Sequence, residues 1–258
     1  MPTALSRALA ASLLLLAALA SAAVAQPAGP AELCRPFSFE DGAYVVCTID
    51  LRRARLGLFW KGPDGEPYGG FERLRQSPEG QGLAFAMNGG MYHKDASPVG
   101  LYVENGRELK RANTADGPGN FHLKPNGVFY AKGDSAGVLD TARYLRQRPP
   151  ADIATQSGPM LVIEGRIHPK ISDDGASRKR RNGVGVRDRH TVVFAISDGP
   201  VSFGSFARLF RDGLGCRNAL FLDGSISSLY APNLGRADGL YPMGPIIGAF
   251  DRSGPVAR

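Results

Sequence analysis

Short apolar runs rich in Val, Ile, Leu, Phe and Tyr recur along the chain between turn-forming residues. They fall at Tyr44–Ile49, Leu56–Trp60, Leu83–Met87, Val99–Val103, Val128–Ala131, Met160–Ile163, Thr191–Ile196 and Ala219–Leu222, and each predicts a β-strand. Asn105-Gly106, lying between Val99–Val103 and Glu108–Lys110, predicts a two-residue hairpin, because both residues tolerate the positive φ of a type I′ turn. The helical period is clearest over Phe203–Leu214, where Phe206, Leu209, Phe210 and Leu214 share one face. Ser202 is placed to cap its start, and Gly213 or Gly215 to end it. A second helix is expected near Gly70–Gln76. Few helices among many strands predict an α+β fold, a single domain built on a large mixed or antiparallel sheet.

The N-terminus departs from this pattern. Arg7 precedes an apolar run from Ala8 to Ala20, and Ala23-Val24-Ala25 offers a small-x-small cleavage site before Gln26. The run is shorter than the ~20 residues that span a bilayer. Residues 1–25 are therefore read as a signal peptide and 26–258 as the mature domain, with no stable membrane insertion after cleavage. Such a protein is exported, either periplasmic or secreted. Export permits disulfides, and Cys34 and Cys47 flank a polar, turn-like stretch that can bring them together. Closing a loop of that size is worth about 3 kcal/mol in chain-entropy terms. Cys216, next to an apolar run and without a nearby His, reads as a buried structural thiol.

Composition narrows the class. Hydrophobic residues make up 43% of the chain and charged ones only 21%, which excludes a disordered polyelectrolyte. The formal charge of +7 is spread along the chain and names no partner. No aromatic-basic or helix-turn-helix pattern supports nucleic-acid binding. No Cys/His cluster with zinc spacing appears, so no metal is implied, and no cofactor motif is present. His93 has the setting of a surface-loop histidine.

The candidate chemistry sits where strands end. Ala219–Leu222 runs into Asp223 and then the small-residue loop Gly224, Ser225, Ile226, Ser227, Ser228. A carboxylate at a strand end followed by such a loop matches either an anion-binding nest or an Asp capping a turn. Ser225 is no nucleophile elbow, since position 227 is Ser rather than Gly. Leu83–Met87 leads into Asn88-Gly89-Gly90, whose glycines allow close backbone approach beside an amide. Ser157-Gly158-Pro159 opens a further apolar run. Arg178, Lys179, Arg180 and Arg181 form a basic stretch before Asn182-Gly183-Val184-Gly185; Arg181, adjoining the strand, is expected to be fixed while its neighbours stay solvated. A planar guanidinium suits a phosphodiester. Asp198, in Ser197-Asp198-Gly199, is a second strand-end acid.

In this order, Asn88-Gly89-Gly90-Met91-Tyr92, Ser157-Gly158-Pro159, Arg181–Gly185, Asp198-Gly199 and Leu222 through Ser228 resemble the phosphodiester glycosidase family in its bacterial exported branch, from about residue 40 to 250. The chain departs from the family at Gly224-Ser225-Ile226, where a three-glycine run is common, and at Arg181-Asn182-Gly183, where Arg-Thr-Ala is common. The resemblance implies a hydrolase that cleaves the bond between a sugar and the phosphate of a glycosyl-1-phosphodiester. On that reading Asp223, and secondly Asp198, supply the carboxylate at the sugar carbon. Arg181 and the loop of Gly224, Ser227 and Ser228 hold the phosphate, while Asn88, Gly89, Ser157 and Gly158 orient the substrate. A phosphomonoester departs as a stabilised anion, which lessens the need for a general acid. The competing expectation is a non-catalytic envelope module that binds anionic glycans or wall polymers through the basic stretch.

Overall fold

Alternation between the two faces of each strand decides the architecture. In β13 (Thr191–Ser197), Val192, Phe194 and Ile196 point into a central core, while Val193 and Ala195 point to the opposite side, where they meet a helix. Both faces are covered, which is why the strand reads as an unbroken apolar run. The computed structural model describes residues 33–252; the segment read as a signal peptide lies outside the described residues. Those residues belong to one compact unit.

Among the described residues the strands form three sheets, with antiparallel neighbours throughout. The largest has seven strands, in the order β1 (Cys34–Phe39), β2 (Gly42–Asp50), β13, β12 (Asn182–Asp188), β14 (Asn218–Asp223), β10 (Met160–Ile163) and β11 (Arg166–Ile167). A five-stranded sheet runs β16 (Arg236–Ala237), β15 (Leu229–Ala231), β4 (Leu83–Asn88), β17 (Ile246–Asp251), β3 (Ala54–Phe59). The other five-stranded sheet runs β6 (Arg107–Lys110), β5 (Tyr102–Glu104), β9 (Ile153–Ser157), β7 (Gly127–Lys132), β8 (Ser135–Asp140). Each sheet sends one face into a common core, through residues such as Phe194 and Leu222, Phe85 and Met87, and Tyr102 and Phe129. One short helix covers each outer face: α3 (Phe203–Arg208) on the seven-stranded sheet, α1 (Phe71–Gln76) on the second, α2 (Thr141–Gln147) on the third. The α+β class with few helices is as the sequence predicts, its strands shared among three sheets.

Local chemistry explains the details. Asn105 and Gly106 take φ of 50° and 75° and join β5 to β6, the hairpin expected from their sequence. Ser202 Oγ accepts from Ser205 N at 3.0 Å and caps α3 as predicted. The helical run expected to reach Leu214 stops being α-helical at Arg208 and widens into a π-type turn, Leu209–Gly213, closed by Leu214 N donating to Leu209 O at 2.8 Å. Gly215 then turns the chain with φ of 65°. Cys34 and Cys47 face each other across β1 and β2 and form a disulfide. Cys216 is a buried free thiol, pushed up to about 12 by burial.

Candidate active site

Strand ends from all three sheets meet at one place. β14 ends at Asp223, β4 at Asn88 and β9 at Ser157, while β12 begins at Asn182, opposite Asp223 in register. Their side chains are buried and tied to one another. Asn88 Nδ2 donates to Asp223 Oδ2 at 3.2 Å. Asn182 Nδ2 donates to Asn88 Oδ1 at 2.9 Å and to Asn88 O at 3.1 Å, and Asn182 Oδ1 accepts from Asp223 N at 2.9 Å. Ser157 Oγ donates to Leu222 O at 2.8 Å, binding the end of β9 to β14 just before the aspartate.

The loop from Gly224 to Ser228 was expected to offer its N–H groups to an anion. Several of them point inward instead. Gly224 N and Ser225 N donate to Asp223 Oδ1 at 2.6 and 2.9 Å, and Ser228 N donates to Asn88 Oδ1 at 2.9 Å. Ser227 Oγ donates to Asp223 O at 2.9 Å. The loop thus preorganises the carboxylate: Oδ1 accepts from the N–H groups of Gly224 and Ser225, and Oδ2 accepts the longer bond from Asn88. Burial pushes the Asp223 carboxyl above the ordinary range, opposed by the N–H groups of Ser225, Gly224 and Ile226 and by the positive charge of Lys179. Tyr92, half-buried, lies within the field of Asp223; burial first, and that charge second, raise its phenol.

Arg181 is fully buried, whereas Arg178, Lys179 and Arg180 are exposed. Its Nε donates to Val201 O at 2.9 Å and its Nη2 to Ser177 O at 2.7 Å, and its guanidinium lies 3.6 Å from the Phe203 ring centroid. The fork expected to grip a phosphodiester therefore spends its Nε–Nη2 edge on carbonyls. Nη1 lies on the side of Gly224, 3.6 Å from where a Cβ at that position would stand. Burial pulls the guanidinium down to about 10.

Asp198 stands outside this network. Its side chain is 43% exposed and pairs with Arg236 Nη1 at 2.9 Å, and Arg236 in turn binds Asp238. The glycines of the motifs serve close approach. Gly89 N donates to Pro245 O at 2.6 Å, and a Cβ on Gly158, which precedes a cis proline, would stand 2.7 Å from Phe121 O. Sequence reasoning gave no role of their own to three residues of this region: Asn182, Tyr92 and Lys179. Lys179 is pinned by a backbone bridge to Val201, and the neighbouring Arg180 O accepts from Ser227 Oγ at 3.4 Å. Tyr92 lay inside a motif and Lys179 inside a charge run; the role of Asn182 has no local signal.

Comparison with known proteins gives a consistent picture. The phosphodiester glycosidase family profile matches residues 81–240, more than half of the chain. YigE of Escherichia coli strain K12, an uncharacterised protein, is 38% identical over 184 residues, covering 71% of this chain and 72% of its own. Among solved structures, the catalytic domain of zebrafish N-acetylglucosamine-1-phosphodiester alpha-N-acetylglucosaminidase, auto-inhibited by pro-peptide, superposes with a TM-score of 0.57 at 15% identity, over 85% of this chain and 82% of that one. A hypothetical protein from Synechocystis gives a TM-score of 0.53 at 16% identity, over 85% and 61%. At these identities the two structures share the fold.

Proposed function

The chain belongs to the phosphodiester glycosidase family, and from that premise we propose that it hydrolyses the bond between a sugar's anomeric carbon and the phosphate of a glycosyl-1-phosphodiester. The observation that carries this reading is the Asp223 carboxyl, buried at a junction of strand ends yet held by N–H donors from Asn88 and from its own loop that favour its charged form. A preorganised carboxylate of this kind stabilises positive charge developing at a sugar carbon without reorganising as the bond breaks. Oδ2, on the Asn88 side and away from Gly224 N and Ser225 N, is the oxygen proposed to act on the reacting centre.

In the proposed reaction Asp223 either takes a proton from an attacking water or attacks the anomeric carbon itself, and the phosphomonoester leaves as an anion. The leaving group needs positive charge nearby more than a proton. Lys179, solvated and close enough for its charge to bear on Asp223, and the Nη1 side of Arg181 provide that charge. The exposure of Asp198 and its pairing with Arg236 favour Asp223 as the reacting carboxylate.

An extracytoplasmic setting is part of the proposal. The N-terminal apolar run ending in Ala23-Val24-Ala25 supports it, and the Cys34–Cys47 disulfide agrees with it. The test is incubation of the purified protein with UDP-N-acetylglucosamine or another sugar-1-phosphodiester. Free sugar and the matching phosphate product should appear, and the anomeric configuration of the first-formed sugar distinguishes direct attack by water from a covalent intermediate. Salt-sensitive binding of anionic glycans with no product would instead support a non-catalytic envelope module.

A further inference from the structure

We infer that Asn182 is a positioning residue, which clamps the Asn88 amide and the Asp223 carboxylate in working geometry across two sheets. This rests on Asp223 being the reacting carboxylate.

The orientation of both amides follows from groups that can only donate. Asp223 N–H meets one end of the Asn182 amide at 2.9 Å, so that end is the oxygen and the other end is Nδ2. Ser228 N–H meets one end of the Asn88 amide at 2.9 Å, so that end is also an oxygen. Asn182 Nδ2 donates to the same Asn88 oxygen and to the Asn88 carbonyl. The remaining end of Asn88 is therefore an N–H donor, and it faces Asp223 Oδ2.

Asn88 ends β4 in a five-stranded sheet, and Asp223 ends β14 in the seven-stranded sheet, so no ladder fixes one against the other. Asn182 opens β12 beside β14, and its side chain reaches across to β4. It is fully buried and binds the main chain at both ends of this gap. Its Oδ1 also accepts from Ser227 Oγ at 3.4 Å, so it acts on the reaction through Asn88, Asp223 and the loop that follows Asp223.

An isosteric exchange separates this role from mere packing. In Asn182→Asp the introduced carboxyl can still accept from Asp223 N, and while protonated it can donate to Asn88 Oδ1 as the amide does. Once ionised it sets an acceptor against two Asn88 oxygens. Relative to wild type at the same pH, kcat should be close while the introduced carboxyl is protonated and fall about a hundredfold behind once it ionises, with little change in KM. Asn182→Ala should lose a similar factor of kcat at every pH. A second readout needs no substrate. In protein with 13C-labelled aspartate carboxyl carbons, Asn182→Ala should raise the Asp223 titration midpoint by about half a unit or more, the equivalent of one weakened hydrogen bond.

A wild-type pH profile for Asn182→Asp, together with an unmoved Asp223 midpoint in Asn182→Ala, would overturn the proposal. If Asn182→Ala does not fold, the pH profile of Asn182→Asp decides alone. If the wild-type protein cleaves no sugar phosphodiester, the functional reading fails, and the NMR titration still shows whether Asn182 sets the carboxyl.

Discussion

Asn88 Nδ2 lies 3.2 Å from Asp223 Oδ2, although 135 residues separate the two along the chain. Burial of the carboxylate sets a pH dependence that this contact opposes. Burial raises the Asp223 pKa above the ordinary 3.8, and the reaction requires the ionised form, so activity is lost as pH falls through the raised value, at a higher pH than for a solvated carboxylate. Asn88→Ala removes a donor to the charged form and leaves the burial in place. The acid limb of kcat/KM should then move to still higher pH, which a pH–rate profile of the two proteins measures.

Asp223→Asn keeps an acceptor for Gly224 N and Ser225 N but removes the negative charge, and it places an amide donor against the Asn88 donor. The expected loss in kcat is about a thousandfold, the range for removing an acid–base or nucleophilic group. Circular dichroism and a melting curve check that the variant is folded. A folded Asp223→Asn protein with wild-type turnover would remove Asp223 from the chemistry.

Much of this was legible in the sequence where the physics is local. β13 and β14 announce themselves because both faces are buried and every position between their polar end residues is apolar. β9 does not, because Thr155, Gln156 and Ser157 are polar and yet buried. Their hydrogen bonds go to distant backbone: Gly90 N to Thr155 Oγ1, Leu101 N and Asn113 N to Gln156 Oε1, and Ser157 Oγ to Leu222 O. β12 is masked by glycines that the covering helix and the turn after it require, since a Cβ on Gly183 would stand 3.1 Å from the Phe206 ring and one on Gly185 2.8 Å from the Phe210 ring. At the site, Asp223 and Asn88 stand out as polar residues that end apolar runs before glycine. That Arg181 would be fixed was also readable, from the strand that follows it. Its direction was not, because the Phe203 ring and the Val201 carbonyl that hold it belong to a segment about twenty residues later.

The cations of the basic stretch should separate by function. Lys179→Gln removes an exposed charge near Asp223 and leaves the backbone bridge to Val201 intact. It should raise KM for a phosphodiester by about tenfold and flatten the dependence of kcat/KM on ionic strength, with the melting temperature unchanged. Arg178→Gln serves as the control. Arg181→Lys should act the other way. A lysine cannot reach Val201 O and Ser177 O together while stacking on Phe203, so a loss of about 2 to 3 kcal/mol in stability is expected, read by urea unfolding.

The Cys34–Cys47 bridge spans 13 residues of sequence and fastens β1 to β2 at one edge of the seven-stranded sheet. Both cysteines are fully buried against the common core, and Cys34 O accepts from Asn233 Nδ2 at 2.7 Å, just after β15. The bridge thus touches the same segment that leaves the site through Ser228. Replacing both residues by Ala keeps the backbone acceptor and removes the cross-link. A chain-entropy account puts the loss at about 3 kcal/mol, which for a domain of this size lowers the melting temperature by roughly 6 to 12 °C. Because the hydrogen bonds of Asp223 come from Asn88, Asn182 and its own loop, kcat measured well below the transition should stay at the wild-type value. A melting curve with and without reductant, paired with turnover at low temperature, checks both halves. A fall in kcat at unchanged fold would show that the β1–β2 edge reaches the carboxylate through Asn233.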